Sequence, residues 1–112
     1  MAENDRAAIL ERKLSAIFQP ESAIQAKQLH DTYGTESHER ETDRVRLAIL
    51  KLSGNTLDGM RRYLEIAKQD YRDVLAWAEY PNQTKAGPAL ETPDRQSLIE
   101  RDAAQYREWL NS

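Results

Sequence analysis

Apolar residues recur every three or four positions between Asn55 and Tyr80, the spacing that places side chains on one side of a helix. The stretch predicts one long helix of roughly seven turns, at about 3.6 residues a turn. Its apolar stripe covers about half the circumference, so more than one neighbour is expected to pack on it. The opposite, charged face includes Glu79 and is expected to face water. The stripe consists of Leu57, Met60, Tyr63, Leu64, Ile66, Ala67, Tyr71, Val74, Leu75, Trp77 and Ala78.

A second helix is predicted just before this one, beginning at Thr35 or Ser37 and running to residue 52. Gly54 can adopt the left-handed conformation that ends a helix, and Asn55 can cap the helix that follows. Because the connection is so short, the two helices are expected to fold back on each other as an antiparallel hairpin. The hairpin 37–80 is the predicted centre of the fold.

The helix before the turn is apolar on two sides. Leu47 and Leu50 point away from its main stripe. A helix with two apolar sides is usually sandwiched between neighbours or placed at an oligomer interface. Leu47 and Leu50 are therefore the candidate self-association interface, and core positions within one chain are the alternative. The main stripe comprises Val45, Ala48, Ile49 and Leu52.

The remaining sequence adds helices on either side of the hairpin. Apolar spacing predicts a helix over 4–18 and a sparser one over 21–33. The segment 81–92 contains two prolines and a glycine without periodicity and is predicted to be a loop, followed by a C-terminal helix over 93–110. No stretch shows strand-like alternation. We predict one all-α domain over 1–112, a small bundle of four to five helices.

Composition fits a single domain with a wet surface, because 39% of the 112 residues are apolar and 31% are charged. A net charge of −3 argues against general nucleic-acid binding, which requires a basic surface, so a nucleic-acid-associated regulator is the third hypothesis. The absence of cysteine excludes disulfides and thiolate metal sites. No apolar run reaches the roughly 20 residues of a membrane span, and we expect a cytoplasmic protein that does not enter a membrane.

Two histidines, His30 and His38, lie among acidic residues and could suggest a metal site. Neither has a second ligand at helical i, i+4 spacing within a known motif, and Gly34 separates them, so a solvated polar stretch is the preferred interpretation. The sequence also lacks a glycine-rich phosphate loop and a nucleophile elbow. No catalytic residue, cofactor or metal is therefore predicted.

Asp70 is the one carboxylate with an unusual position. On the long predicted helix it lies at the flank of the apolar half, near Tyr63 and Trp77. A buried carboxylate is costly unless it is paired. The preferred interpretation is a structural hydrogen bond from a tyrosine, a tryptophan or an arginine such as Arg44. The functional alternative is a general base with a raised pKa.

One block of the chain resembles a known group of proteins. Residues Arg44 to Pro81 read RVRLAILKLSGNTLDGMRRYLEIAKQDYRDVLAWAEYP, about a third of the sequence. The block resembles small bacterial proteins of unknown function, in which an LKLSxGN-like turn precedes a helix ending in DYRDVLAWAEYP-like residues. The resemblance implies the helical hairpin and a bacterial origin. It carries over no catalytic residue, because no activity is assigned to such proteins.

These observations favour a non-catalytic structural or protein-interaction module that associates with itself or with an unknown protein partner. The two-sided helix and the wide stripe of the long helix support this hypothesis. The alternative is a small enzyme or ligand-binding bundle that uses Asp70 with Tyr63, Tyr71 or nearby arginines. That alternative predicts a pocket open to solvent beside Asp70.

Overall fold

Proline opens two helices of the protein, and capping side chains open two more. Pro20 and Pro81 are first residues of helices, where the missing N–H costs nothing, and Thr56 and Asp70 accept backbone N–H groups of the turns that follow them. The computed structural model describes residues 2–86 and 94–112, with side chains from 6–85 and 95–112. The helices in these ranges are α1 (Ala2–Ile17), α2 (Pro20–Asp31), α3 (Thr42–Leu52), α4 (Leu57–Gln69), α5 (Tyr71–Glu79), α6 (Pro81–Ala86) and α7 (Asp94–Asn111).

The all-α prediction is confirmed, since the described ranges contain helices and no strand. The helix count exceeds the predicted four to five for two local reasons. The long predicted helix is divided into α4 and α5, and the predicted loop 81–92 begins with α6. Residues 87–92 of that loop lie outside the described ranges. None of the described helices is long and apolar enough to cross a membrane.

Asp70 divides the long helix. Its backbone is extended, with φ −156° and ψ 101°, so it ends α4 and begins α5. Its N–H donates to the Ile66 carbonyl at 2.9 Å, and its carboxylate accepts the Arg72 N–H at 3.1 Å. The apolar spacing continues at four and three residues through Ala67, Tyr71 and Val74. The prediction of one continuous helix was wrong because periodicity of side chains does not report this change of the backbone.

The turn between α3 and α4 is shifted by one residue from its prediction. Gly54 and Asn55 both have left-handed backbones, with φ values of 66° and 65°. Asparagine tolerates this conformation better than most residues, so Asn55 completes the turn and does not cap the next helix. Thr56 is the cap, and its hydroxyl accepts the Gly59 N–H at 3.0 Å. The two helices pack on each other as the hairpin prediction requires.

The predicted start of the helix before the Gly54 turn was also wrong. This helix, α3, begins at Thr42 and not at Thr35 or Ser37. The preceding residues form a turn around Glu39, whose carboxylate accepts the backbone N–H groups of residues 34–36 at 2.8 to 3.3 Å. Burial would raise the pKa of Glu39, but these hydrogen bonds and nearby Lys68 hold it below the ordinary value. The carboxylate thus satisfies three backbone N–H groups that precede α3.

α3 lies at the centre of the fold and packs against α1, α4 and α5. Leu47 and Leu50 are 1% and 0% exposed within the single chain. Neither side chain is available to a second molecule, so they occupy the core positions that sequence analysis left as the alternative. The proposed interface at these residues is therefore wrong. The buried core consists of Leu10, Leu14, Phe18, Ala26, Tyr33, Val45, Leu47, Ala48, Ile49, Leu50, Met60, Leu64, Ala67, Val74, Leu75 and Ala78.

Candidate functional site

Asp70 lies beside a pocket, as the ligand-binding hypothesis requires. The pocket has a volume of about 270 Å³ and is also lined by His38, Lys68 and Tyr71. The Asp70 carboxylate is bound by Arg72 through Nε and Nη2, each at 2.9 Å. These hydrogen bonds hold the pKa of Asp70 below its ordinary value. A general base with a raised pKa is the opposite state, so the geometry assigns Asp70 to capping the break between α4 and α5.

The two histidines lie in different environments. His30 is buried, and its Nδ1 is 3.0 Å from a carboxylate oxygen of Asp31. Burial lowers the pKa of His30 and outweighs the raising effect of Asp31, which favours the neutral ring. His38 is exposed. Among the side chains that the structure describes, in 6–85 and 95–112, no three histidine or acidic groups lie together so that they could hold a metal ion.

The stronger candidate site is a cleft that five helices line and that we call the arginine cleft. Its volume is about 380 Å³. α7 forms one wall, α3 and the end of α5 form the floor and the other wall, and α1 and α6 contribute one residue each. The lining residues are Arg6, Arg44, Leu47, Glu79, Tyr80, Gln83, Ile99, Ala103, Tyr106, Arg107 and Leu110.

Asp102 attaches the α7 wall to the rest of the protein. It is 0% exposed, and in the described part of the chain its carboxylate accepts hydrogen bonds from the start of α6. Asn82 and Gln83 each donate a backbone N–H and a side-chain amide N–H, at 3.0 to 3.1 Å. Burial would raise the pKa of Asp102, but these four hydrogen bonds outweigh it and hold the pKa below its ordinary value. The wall of the cleft is therefore held by a charged group that is fully satisfied.

Arg44 and Glu79 form the floor pair of the cleft. Arg44 donates from Nε at 2.9 Å and from Nη2 at 2.6 Å to the two carboxylate oxygens of Glu79. Arg44 also donates to the Tyr80 hydroxyl at 3.1 Å. The prediction that Glu79 faces water was wrong, since only 8% of this residue is exposed. Arg44 does pair with a carboxylate, as sequence analysis suggested, but the carboxylate is Glu79 and not Asp70.

Tyr106 carries the cleft's least satisfied polar group. Its hydroxyl oxygen is buried and has no hydrogen-bond partner in the described part of the chain. Burial and the charge of Glu79 raise the pKa of Tyr106, while Arg6 and Arg44 act in the opposite direction. Its ring stacks on Trp109, with centroids 5.7 Å apart. A buried polar group without a partner is uncommon, and a water or a ligand would have to supply one.

The cleft carries an excess of positive charge. Three arginines line it, and Glu79 is the single carboxylate among the lining residues. The Glu79 carboxylate forms an ion pair with Arg44. Arg6 and Arg107 form no ion pair or side-chain hydrogen bond with the described part of the chain. An anion entering the cleft would therefore meet two guanidinium groups that are not already neutralised.

A smaller recess beside the cleft does not remove this excess. It shares Arg6 and Arg44 with the cleft and adds two carboxylates. Glu41 lies 3.7 Å from Arg44, and Asp43 lies 4.0 Å from Arg46, which is outside the cleft. Neither carboxylate forms an ion pair with Arg6. The carboxylates of the recess reduce the positive potential near Arg44, and Arg107 does not line the recess.

No family model, curated protein or solved structure matches the chain. The resemblance of residues 44–81 to small bacterial proteins stays a prediction.

Sequence reasoning did not find the arginine cleft. Leu47 was identified, but as an interface residue and not as part of a cleft floor. Arg107 and Tyr106 are adjacent in a helix whose partner elements cannot be read from spacing, and Arg6 reaches the cleft from the other end of the chain. The available signal was the row Ile99, Ala103 and Arg107 at i, i+4 and i+8, which puts apolar and cationic side chains on one face.

Proposed function

We propose that the protein is a non-catalytic binding module that holds an anionic ligand in the arginine cleft. The observation that carries this proposal is the pair Arg6 and Arg107, which line a cleft with an apolar floor and have no carboxylate partner among the described residues. Small-molecule sites typically combine an apolar lining with a few polar groups of this kind. The proposed ligand site is therefore the cleft beside α7 and not the pocket beside Asp70.

The groups of the cleft favour binding over reaction. Glu79 is buried, and both of its carboxylate oxygens accept hydrogen bonds from Arg44, which identifies it as an ion-pair partner within the protein. Burial raises the pKa of Tyr106, so its hydroxyl keeps its proton at neutral pH. Guanidinium groups retain their charge and form strong hydrogen bonds to carboxylates and phosphates.

The test is a titration of the isotope-labelled protein with sodium acetate, sodium octanoate and inorganic phosphate, followed by amide NMR shifts. We expect at least one anion to give saturable shifts at Tyr80, Ala103 and Arg107. Arg107→Gln should weaken that binding about tenfold, because one charge-assisted hydrogen bond is lost. Arg101→Gln is the matched control, since Arg101 is an exposed arginine of the same helix outside the cleft.

Two results would contradict the proposal. One is the absence of saturable shifts at the cleft for every anion of the panel. The other is equal weakening by Arg107→Gln and Arg101→Gln, which would mean that the net charge of the protein and not the cleft attracts the anion. Circular dichroism of both variants checks that each has kept its fold.

Self-association remains a second proposal, and an aromatic surface on α4 and α5 supports it. Trp77 is 38% exposed and packs edge-to-face against Tyr63, with centroids 6.3 Å apart. Arg62 lies over the Tyr63 ring at 5.6 Å. Tryptophan, tyrosine and arginine are the residues most enriched at the centres of protein interfaces. We propose this surface, in place of Leu47 and Leu50, as the contact between two copies.

Light scattering over a concentration series tests self-association. We expect the wild-type mass to rise with concentration and Trp77→Ser to remain a folded monomer. Ile24→Ser is the control, because Ile24 is the most exposed large apolar residue in the described part of the chain and lies on α2. A wild-type mass that stays monomeric at every concentration would refute self-association. A dimer that survives Trp77→Ser would refute this surface.

A further inference from the structure

Resting on the proposed function, we infer that the ligand is a small monocarboxylate with an extended apolar chain. Its carboxylate binds Arg6 and Arg107, and its chain lies along α7 towards Ile99. The inference concerns the chemical class of the ligand, which the charge of the cleft alone does not specify.

The row of side chains on α7 separates the two parts of the ligand. Ile99, Ala103 and Arg107 follow one another at intervals of four residues and line the same cleft. At about 1.5 Å per residue, Ile99 and Arg107 are roughly 12 Å apart along the helix. An extended acid of roughly eight carbons spans a similar length. The cleft is thus cationic at one end of this row and apolar at the other.

The apolar part of the cleft is unusually open. Ile99 is 39% exposed and Tyr80 is 41% exposed, two of the four large apolar residues that are exposed in the described part of the chain. Leu47 also lines the cleft and is almost completely buried. An apolar chain lying on Ile99 and Tyr80 would remove both surfaces from water, which is the main source of affinity for such a ligand.

The charges of the cleft accept a single carboxylate. Two guanidinium groups can bind one planar carboxylate through paired hydrogen bonds, and they can bind a phosphate as well. Glu79 is already paired with Arg44, so its charge does not select between these two anions. The apolar end of the cleft at Ile99 does select, because a free phosphate has no group that can cover it. The recognition therefore fits a monocarboxylate with an apolar chain.

The size of the cleft favours a free small molecule. Its volume of about 380 Å³ lies near the lower end of the roughly 300 to 1,000 Å³ of small-molecule sites. A protein partner of standard size would cover about 800 Å² on this chain, far more than the mouth of such a cleft offers. We therefore assign the site to a free acid and treat the carboxyl terminus of a peptide as a competing result of the test.

Trp109 offers a reporter for the experiment, because its ring stacks on Tyr106 in the wall of the cleft. Trp77 is the other tryptophan of the sequence, so Trp77→Phe leaves Trp109 as the single tryptophan, which is excited selectively over the tyrosines. Binding to this protein is measured by Trp109 emission and by titration calorimetry. The probes are sodium octanoate, sodium acetate, 1-octanol, inorganic phosphate and the tetrapeptide acetyl-Ala-Ala-Ala-Leu with a free carboxylate.

We expect octanoate to bind saturably and at least about tenfold more tightly than acetate, 1-octanol or phosphate, because it alone presents both chemical features. Arg107→Gln should weaken octanoate binding about tenfold and leave 1-octanol unchanged. Ile99→Ser should weaken octanoate and leave acetate unchanged. Arg101→Gln and Ile24→Ser are the matched controls outside the cleft and should not change octanoate binding.

Four results would overturn the inference, and they separate it from the proposed function. Equal binding of 1-octanol would show that the charge is not recognised. Equal or tighter binding of acetate or phosphate would show that the chain is not recognised, while the anion-binding function would stand. Tighter binding of the tetrapeptide would assign the cleft to a peptide terminus. No binding of any anion would refute both the inference and the proposed function.

Discussion

Replacing Tyr106 with phenylalanine is expected to stabilise the protein, although tyrosine hydroxyls in cores normally contribute to stability. The substitution removes one buried oxygen that has no hydrogen-bond partner in the described part of the chain and leaves the ring stacked on Trp109. Leaving a buried hydroxyl unsatisfied costs roughly 1 to 3 kcal/mol. A water that enters the cleft recovers part of this. We therefore expect the free energy of unfolding to rise by about 1 kcal/mol.

Tyr33 provides the matched control, because the same substitution removes a satisfied hydroxyl there. The Tyr33 side chain is fully buried, and its hydroxyl donates to the Arg40 carbonyl at 2.8 Å. Tyr33→Phe removes this hydrogen bond and leaves the carbonyl without its partner. Its expected cost is about 1 to 2 kcal/mol. The two variants should therefore differ by about 2 to 3 kcal/mol, with opposite signs relative to wild type.

Urea denaturation followed by circular dichroism at pH 7 measures both changes. The dependence on urea concentration should be the same for the three proteins, so that differences in midpoint report stability directly. A loss of 1 kcal/mol or more in Tyr106→Phe, similar to that of Tyr33→Phe, would refute the reasoning. It would show that the Tyr106 hydroxyl already has a partner and that the cleft contains no unsatisfied group.

Three further predictions concern the fold. Gly59→Ala should lower the free energy of unfolding by more than about 2 kcal/mol, because the added Cβ would collide with the backbone of the α3–α4 turn. Gly54→Ala should lower it by only about 1 kcal/mol, since the backbone of Gly54 is left-handed but its surroundings are open. Asp102→Asn should cost about 2 kcal/mol at pH 7, and the difference from wild type should shrink in acid. Leu50→Ala should cost about 3 kcal/mol through the cavity it leaves in the core, without any change of oligomeric state.

The sign of the acid effect follows from the lowered pKa of Asp102. The stabilisation by its carboxylate is fully present above the ordinary aspartate pKa and is lost as pH falls through the lower pKa of the folded state. Thermal unfolding from pH 7 to pH 3 measures it, with Asp58→Asn as the exposed control. A gap between wild type and Asp102→Asn that widens in acid would contradict this assignment. Unfolding free energies close to that of wild type would contradict the predicted steric collision in Gly59→Ala and the predicted cavity in Leu50→Ala.

Local spacing was sufficient to predict most helices. The predicted helices over 4–18 and 21–33 correspond to α1 and α2, and the C-terminal helix corresponds to α7. This works because apolar spacing and helix boundaries depend on residues within a turn or two of one another. The same spacing could not reveal the break at Asp70, because the apolar stripe continues across it.

The break explains why the two faces of the hairpin were partly misassigned. Glu79 belonged to the charged face of a continuous helix, but α5 is a separate helix on which Glu79 is buried and meets Arg44 of α3. The cause is a carboxylate that caps α5 and is held by Arg72. Capping aspartates and exposed helical aspartates look alike in sequence, since the difference lies in the backbone.

The sequence by itself determined the helical class, the turn at Gly54 and most of the apolar residues that form the core. Tertiary structure alone decided that Leu47 and Leu50 are internal and that Arg6, Arg44 and Arg107 meet in one cleft. The physical reason is the range of the interactions. Helix formation is written into neighbouring residues, whereas a charge imbalance arises when distant helices are packed together and some cations find no partner.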